Sequence, residues 1–216
     1  GVRNRDDLAA AARAEKVRAL AGFGETVERN ILKRLDAAAA APAATGRMLL
    51  HGAWGVAHAL ADHLRRVRGV ETVEIAGSFR RRRDTIGDLD LLVCGGATEA
   101  VMDAFVGHEY VAEVLGRGET KSSVRLGNGL QVDLRLVPVE SFGAALLYFT
   151  GSKSHNIELR QLAIDHGMNL NEYALTRGDQ VVASATEADI YRALELEWVP
   201  PELREAQGEI AIARTG

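Results

Sequence analysis

The stretch GSFRRRRDTIGDLDLLV, residues 77–93, decides the fold and the chemistry that we expect of this chain. Four consecutive arginines precede two aspartates, Asp88 and Asp90, that are separated by a single leucine. The apolar run around these aspartates predicts a strand over 88–95, and residues i and i+2 of a strand project from the same face. The two carboxylates should therefore point together, while the leucine between them points into a core.

A third acid extends this pattern. The segment 121–138 alternates on either side of Asn128-Gly129, which favours a hairpin, and Asp133 in its second arm lies between two apolar residues. If this arm pairs beside 88–95, the three carboxylates converge. Two aspartates alone could simply end a strand, but three would suit a pair of divalent cations, Mg²⁺ or Mn²⁺, for in-line phosphoryl transfer.

The residues just before the arginines favour a phosphate site. Gly77 and Ser78 follow the strand that we predict over 70–77. The Ser78 hydroxyl, backbone N–H groups and Arg81 would then bind a triphosphate whose oxygens also meet the metal. The arginines of residues 77–93 would thus contact a polyanionic substrate directly, and the aspartates would contact the same substrate through the metal.

Composition sets limits on the function classes. The chain has 216 residues, is 47% hydrophobic and carries a net charge of −4, so positive charge matters only where it clusters. Its single cysteine, Cys94, excludes an internal disulfide and a cysteine-based zinc site, and fits a reducing cytoplasm. No apolar run approaches the roughly 18 residues that a membrane span requires.

The order of elements indicates helices, then a mixed α/β block, then a smaller α+β block. We predict helices within 6–36, broken at the glycine turn 22–24, and a linker or a helix end over 36–46 that marks a subdomain boundary. The turn, with Gly22 and Gly24, would present N–H groups to a DNA phosphate without reading sequence. Further predictions are helices over 48–67 and 98–106, a small hairpin in 170–185, and a helix capped by Thr186. The histidines 51, 58, 63 and 155 are expected at the surface or on helices.

Taken together, these segments resemble the family X DNA polymerases, the nucleotidyltransferases that include DNA polymerase beta, in a bacterial-type catalytic core. The segment GFGETVERNIL (22–32) resembles the helix-hairpin-helix of the fingers. The stretch 77–93 and the segment LQVDLRLVP (130–138) resemble the palm, and YFTGSKSHNIELRQLA (148–163) resembles the thumb. The resemblance implies an α+β fold: a nucleotidyltransferase palm of mixed β-sheet and helices, flanked by helical fingers and a small α+β thumb. The expected domains are 1–40 (fingers), 41–139 (palm) and 140–216 (thumb).

The resemblance also implies residue roles. Asp88, Asp90 and Asp133 would be the catalytic metal ligands, and Asp133 would assist deprotonation of the primer 3′-hydroxyl. Nucleotide-binding roles fall on Arg47, Gly77, Ser78, Arg81, Gly87, Tyr148, Phe149, Gly151 and Asn156. DNA-binding roles fall on Gly22, Gly24, Lys121, Arg135 and Arg160, with a monovalent cation at the 22–24 turn. A cis peptide is implied between Gly151 and Ser152.

Two positions depart from the family pattern. Arg82 stands where a glycine is expected after SFRR, and would crowd the loop or add a phosphate contact. Gln131 stands where beta-like members carry an arginine, which would weaken contact with the primer phosphate.

The function expected from the resemblance is template-directed addition of dNMP from dNTP to a primer 3′-hydroxyl, filling short gaps in base excision repair. The partners would be primer-template or gapped DNA and dNTP, with no membrane, acting as a monomer in the bacterial cytoplasm. Two alternatives remain: a nucleotidyltransferase with an untemplated or non-DNA acceptor, and a DNA-binding module without turnover.

Overall fold

The computed structural model describes residue 2 and residues 4–40 and 46–214 of the chain. The chain divides into two compact units, Gly1–Thr45 and Gly46–Gly216. Part of the linker expected over 36–46 lies outside the described residues, and the helix before it continues to Ala40. The expected domains 1–40, 41–139 and 140–216 stay predictions.

The first unit is helical. It consists of α1 (Arg5–Arg13) and α2 (Glu25–Ala40), and the Asn4 side chain caps α1 by accepting from the Asp7 N–H. The expectation that a helix runs up to the glycine turn is wrong. Turns occupy 14–24, because Glu15 adopts a positive φ that a continuing helix excludes.

The second unit holds the remaining elements. Its strands are β1 (Met48–Leu49), β2 (Val70–Ile75), β3 (Thr85–Ile86), β4 (Asp88–Gly95), β5 (Val111–Arg117), β6 (Lys121–Leu126), β7 (Gln131–Val137), β8 (Asn169–Leu170), β9 (Leu175–Arg177) and β10 (Gln180–Ala183). Its helices are α3 (Leu50–Arg65), α4 (Gly77–Arg80), α5 (Thr98–Val106), α6 (Phe142–Thr150), α7 (Lys153–Asp165), α8 (Glu187–Ala193) and α9 (Glu209–Ile212), with 3₁₀ turns at Val139–Ser141 and Pro201–Leu203.

A five-stranded mixed sheet organises this unit, in the order β2-β4-β7-β6-β5. The β4–β7 pair is parallel and the other three pairs are antiparallel. The hairpin predicted over 121–138 is confirmed as β6 and β7, and its second arm does pair beside β4. The edge strand β5 was not predicted.

The two faces of β4 pack differently. Leu89, Leu91 and Val93 are buried in the cluster that α3 and α5 complete on one face of the sheet. On the opposite face, Leu92 packs with Ala145 and Leu146 of α6. Helix α6 therefore covers the far part of this second face and leaves its beginning, where Asp88 and Asp90 lie, facing a cleft.

The C-terminal part has its own apolar cluster, formed by α6, α7, α8 and the sheet β8–β10. The small hairpin predicted there is a three-stranded antiparallel sheet, since β8 also pairs with β9. Thr186 caps α8 by accepting from the Asp189 N–H, as predicted. His155 lies on α7, which agrees with the expectation of a surface or helix position, and its ring is fully buried, with Glu209 and Tyr191 as hydrogen-bond partners. None of the described helices has the length and apolarity needed to cross a membrane.

Candidate active site

Three carboxylates lie on two neighbouring parallel strands. Asp90 of β4 and Asp133 of β7 are register partners, and Asp88 lies opposite Gln131. Residues in register on adjacent strands project from the same face, so the strand pairing places all three aspartates on one face of the sheet. The buried Leu89 between the first two confirms which face is the core.

The electrostatics of this group centre on Asp90. Burial, together with the neighbouring negative charges of Asp88 and Asp133, raises the pKa of Asp90 to about 7. Arg135 and Lys121 act in the opposite direction, but they do not outweigh burial and repulsion. Three mutually repelling carboxylates of this kind are the hard oxygen donors that a divalent cation prefers.

Asp133 takes partners from its own sheet. Its Oδ1 accepts from Gln131 Nε2 at 3.0 Å, and its Oδ2 lies 3.6 Å from Lys121 Nζ. Within the part of the chain that the structure describes, no three or more His, Cys, Asp or Glu side chains are arranged as a metal site. The donor types and the strand register fit a divalent cation, and the Asp133 side chain is held by the hydrogen bond from Gln131 and the longer ion pair with Lys121.

The Gly-Ser segment approaches these acids closely. It begins the short helix α4 rather than a simple turn, and the Ala76 N–H donates to the Asp90 carbonyl at 2.8 Å. Gly77 adopts a φ of +60°, and a Cβ built on it would collide with the Asp90 carboxylate. Glycine is therefore required at this position, both for the backbone conformation and for the close approach to Asp90.

A cleft of about 510 Å³ opens over this end of the sheet. It is lined by Arg47, Gly77, Ser78, Arg81, Arg83, Gly87, Asp88, Asp90, Tyr148, Phe149, Thr150, Gly151, Lys153, Asn156 and Arg160. All nine residues predicted to bind nucleotide are in this lining, as are two of the three aspartates and Arg160. Five cationic side chains against two carboxylates make the cleft suited to a polyanion.

Arg47 enters the cleft because β1 pairs with β3. Its Nε donates to Thr85 Oγ1 at 2.9 Å and its Nη2 to the Thr85 carbonyl at 2.6 Å. A Cβ on Gly87 would lie 3.3 Å from Arg47 Nη1. The pairing of Met48 with Ile86 thus brings together Arg47 and Gly87, which are 40 positions apart in the sequence.

Aromatic side chains form the opposite wall. Tyr148 and Phe149, at the end of α6, lie edge to face with their centroids 5.0 Å apart, and the Arg135 guanidinium lies 4.3 Å from the Phe149 centroid. Asn156 Nδ2 donates to the Tyr148 carbonyl at 2.7 Å, and Arg160 Nε donates to the Asn156 carbonyl at 3.2 Å. These contacts connect the start of α7 to the end of α6.

The connection between α6 and α7 passes through Gly151. The Gly151–Ser152 peptide is cis, as predicted, and Gly151 has a φ of +67°. A Cβ on Gly151 would lie 3.3 Å from Arg81 Nη1, and the Ser152 side chain caps α7 by accepting from the His155 N–H.

The four consecutive arginines point in different directions. Arg80 forms a bidentate pair with the buried Glu187, and Arg81 donates to the Thr150 carbonyl at 2.6 Å and to Glu205 at 2.9 Å. Arg82 has the positive φ that the glycine of the family pattern would favour, and its guanidinium lies 4.8 Å from the Trp54 ring centroid. Arg83 lines the cleft with a side chain that is 53% exposed.

The remaining predicted DNA contacts lie elsewhere. Lys121 and Arg135 are register partners beside Asp133 and are not in the cleft lining. Gly22 and Gly24 belong to the first unit, where Gly22 has a φ of +84° and a Cβ on either glycine would meet no neighbouring atom. This turn is therefore open to a ligand, and its DNA and cation roles stay predictions.

Sequence reasoning missed Arg83 and Lys153 in the cleft. Arg83 was part of the opening stretch, but a run of four arginines gives no indication of which one faces the substrate. Lys153 follows the N-cap of α7, where the helix dipole disfavours a positive charge. A lysine at such a position is a sequence signal that could have identified it as a functional residue.

Comparison with known proteins agrees with this architecture. The sequence model described as "DNA polymerase beta thumb" matches residues 145–205. The DNA polymerase/3′-5′ exonuclease PolX of Bacillus subtilis is 33% identical over 214 residues, which is 97% of this chain and 37% of the relative. DNA polymerase lambda of Rattus norvegicus is 29% identical over 159 residues, 60% of this chain and 28% of the relative.

A solved structure shows the same fold. The polymerase beta of Leishmania infantum, crystallised as a ternary gap complex, superposes with a TM-score of 0.72 at 20% identity, covering 95% of this chain and 82% of that one. The α+β architecture of a mixed sheet with helices is thus shared with it. The chain spans little more than a third of the length of the Bacillus relative and less than a third of the rat one.

Proposed function

Because this chain belongs to the family X DNA polymerases, we propose that it carries their polymerase core and adds dNMP from dNTP to a primer 3′-hydroxyl under the direction of a template. The observation that carries the proposal is a cleft in which Asp88 and Asp90 lie among five cationic side chains, with Asp133 in register with Asp90 on the neighbouring strand. Carboxylates and cations side by side suit a phosphoryl transfer in which both the metal and the phosphates must be held.

The aspartates would hold the metal. Two divalent cations, Mg²⁺ or Mn²⁺, would be bound by Asp88, Asp90 and Asp133 and would neutralise charge on the reacting phosphates. The chain's own residues orient the reaction: Ser78 and the N–H groups of α4 would donate to the non-bridging phosphate oxygens. Asp133, which accepts a hydrogen bond from Gln131 and forms an ion pair with Lys121, would accept the proton of the primer 3′-hydroxyl.

The other end of the cleft would hold the base and sugar. Tyr148 and Phe149 offer an aromatic surface for the sugar, and the half-buried Asn156 presents an amide to the base edge. Arg160, Lys121 and Arg135 would contact the primer and template strands, and the Gly22–Gly24 turn would hold a DNA phosphate with a monovalent cation. Base discrimination would then come from pairing with the template, since the cleft has few groups that read a base.

The setting that we propose is the filling of short gaps in DNA repair, as a monomer in the bacterial cytoplasm. The rat and Bacillus relatives are named DNA polymerases, and the Leishmania structure was solved with a gapped substrate. These names support the substrate class without fixing the gap length.

The test is extension of a labelled primer on a one-nucleotide gap, with each dNTP supplied singly. The account predicts addition only of the dNTP complementary to the template base. Addition of all four dNTPs alike, or to a primer without template, would favour the untemplated nucleotidyltransferase. DNA binding without any addition would favour the non-catalytic module.

A further inference from the structure

We propose that Glu205 is a positioning residue, which holds the Arg81 guanidinium so that its terminal nitrogens face the phosphates of the nucleotide in the cleft. This inference rests on the proposed function and on the sequence-based prediction that Arg81 binds those phosphates. The sequence gave no indication of Glu205, which lies 124 positions beyond Arg81.

Two protein acceptors hold the Arg81 side chain. Its Nε donates to Glu205 Oε1 at 2.9 Å, and its Nη1 donates to the Thr150 carbonyl at 2.6 Å. A Cβ on Gly151 would lie only 3.3 Å from Nη1, so the backbone between α6 and α7 also packs against the guanidinium. Because the Arg81 side chain is only 14% exposed, few other orientations are open to it.

The free donors of Arg81 suit a phosphate. A guanidinium carries five N–H groups in one plane, and the two acceptors engage one on Nε and one on Nη1. Among the residues that the structure describes, none accepts a hydrogen bond from Nη2. Arg81 lines the cleft together with Gly77 and Ser78, so its remaining N–H groups are available to phosphate oxygens there.

The position of Glu205 is fixed by the residue before it. Arg204 is fully buried and donates to the two carboxylate oxygens of Glu187, at 2.7 and 3.0 Å. The Ser152 N–H donates to the Arg204 carbonyl at 3.1 Å, which connects this segment to the start of α7. Glu205, whose side chain is only 21% exposed, is therefore presented to Arg81 by well-packed structure.

The geometry disfavours the opposite role, in which Glu205 would compete with phosphate for Arg81. Glu205 binds Nε, whereas a competitor for a bidentate phosphate would occupy the terminal nitrogens. Arg83 Nη1 also lies 3.7 Å from Glu205 Oε1, so one carboxylate is shared by two arginines and the local charge stays positive. A guanidinium held in this way loses less conformational entropy when it binds phosphate.

The experiment measures how single-turnover extension of a one-nucleotide gap depends on dNTP concentration, which separates the apparent dNTP affinity from the maximal rate. We expect Glu205→Ala to weaken the apparent affinity by about tenfold, with a smaller change in the maximal rate. Glu205→Gln should recover most of this loss, since it keeps an oxygen that can accept from Arg81 Nε. An unchanged affinity in Glu205→Ala would overturn the proposal, and so would a tighter one, which would make Glu205 a competitor of phosphate.

Two controls separate positioning from general effects of charge and stability. Glu202→Ala removes the same charge from the neighbouring 3₁₀ turn, where Glu202 is half-exposed and 3.9 Å from Arg82, and it should leave the affinity unchanged. In an Arg81→Ala background, Glu205→Ala should cause no further loss of affinity, because the side chain that it positions is absent. Additive losses would overturn the proposal, since Glu205 would then act independently of Arg81. If the unmodified chain does not extend primers at all, the proposed function fails instead, so the two failures are distinguishable.

Discussion

Gly77 and Asp90 are in such close contact that no side chain fits between them. Gly77 begins α4 with a φ of +60°, and a Cβ on it would collide with the Asp90 carboxylate at the floor of the cleft. The Gly77–Ser78 segment and the strand that carries Asp90 are therefore positioned against each other by the absence of a single methyl group. This relationship explains why a glycine precedes the serine and the arginines of the opening stretch.

Gly77→Ala should lower both stability and primer extension. The positive φ alone costs a non-glycine residue about 1–2 kcal/mol, and the collision with Asp90 adds to that cost and displaces the carboxylate. The control is Gly178→Ala, which has a φ of +57° but whose Cβ would meet no neighbouring atom. Urea unfolding and single-turnover extension of both variants check the prediction. Equal losses in the two variants would show that the contact with Asp90 does not matter.

Much of this site follows from the sequence. Alternation predicts the strands that carry Asp88, Asp90 and Asp133, and Asn128-Gly129 indicates the hairpin. The acids converge because β7 also pairs with β4, and the sequence analysis could state that pairing only as a condition. The directions of the four arginines do not follow from the sequence, because the partners Glu187 and Glu205 lie over 100 residues away from them. The burial of His155 depends on Tyr191 and Glu209 in the same way. Long-range packing of this kind leaves no periodic signal.

Glu187 should govern stability in acid. Its burial raises the pKa, but hydrogen bonds from Arg204 and Arg80 outweigh that effect and lower the pKa of Glu187 to about 2. Because the folded pKa is depressed, the stabilisation is complete above the ordinary value near 4.5 and is lost as pH falls toward 2. Between these limits the free energy of unfolding should fall by about 3 kcal/mol from this group.

Glu187→Gln should remove that pH dependence and destabilise the fold at neutral pH by about 3–5 kcal/mol, since Arg204 would be left buried without a countercharge. Glu202→Gln is the control, because its pair with Arg82 is 3.9 Å long and half-exposed. Urea unfolding at pH 7, 4.5 and 3 makes the comparison. A Glu187→Gln variant with the parent's acid sensitivity would contradict the assignment.

Glu28 should maintain the turn of the first unit that we propose to bind DNA. This fully buried carboxylate accepts from the Val17 and Arg18 N–H groups and from Arg18 Nε at 2.6 Å, so it fixes the turns that lead to Gly22. We expect Glu28→Gln to weaken binding to gapped DNA and to reduce its dependence on salt, because phosphate contacts release counterions. Glu25→Gln, an exposed acid in the same helix, is the control.

Affinity and salt slope are measured by fluorescence anisotropy of labelled gapped DNA at several salt concentrations. Since Glu28 is not in the cleft lining, Glu28→Gln should leave the cleft residues unchanged. An unchanged affinity and slope in Glu28→Gln would show that this turn does not contact the DNA phosphates.

The central claim is tested most directly by single-turnover extension of a one-nucleotide gap by Asp90→Asn, with Asp84→Asn as the control. Both changes remove one carboxylate from the opening stretch, but Asp84 is exposed and outside the cleft lining. The unmodified chain and Asp84→Asn should add the complementary dNTP at similar rates, and this addition should be abolished by a chelator. Asp90→Asn should be slower by about a thousandfold or more, because a metal ligand is removed from the transition state. Extension at the parent's rate in Asp90→Asn would contradict the account.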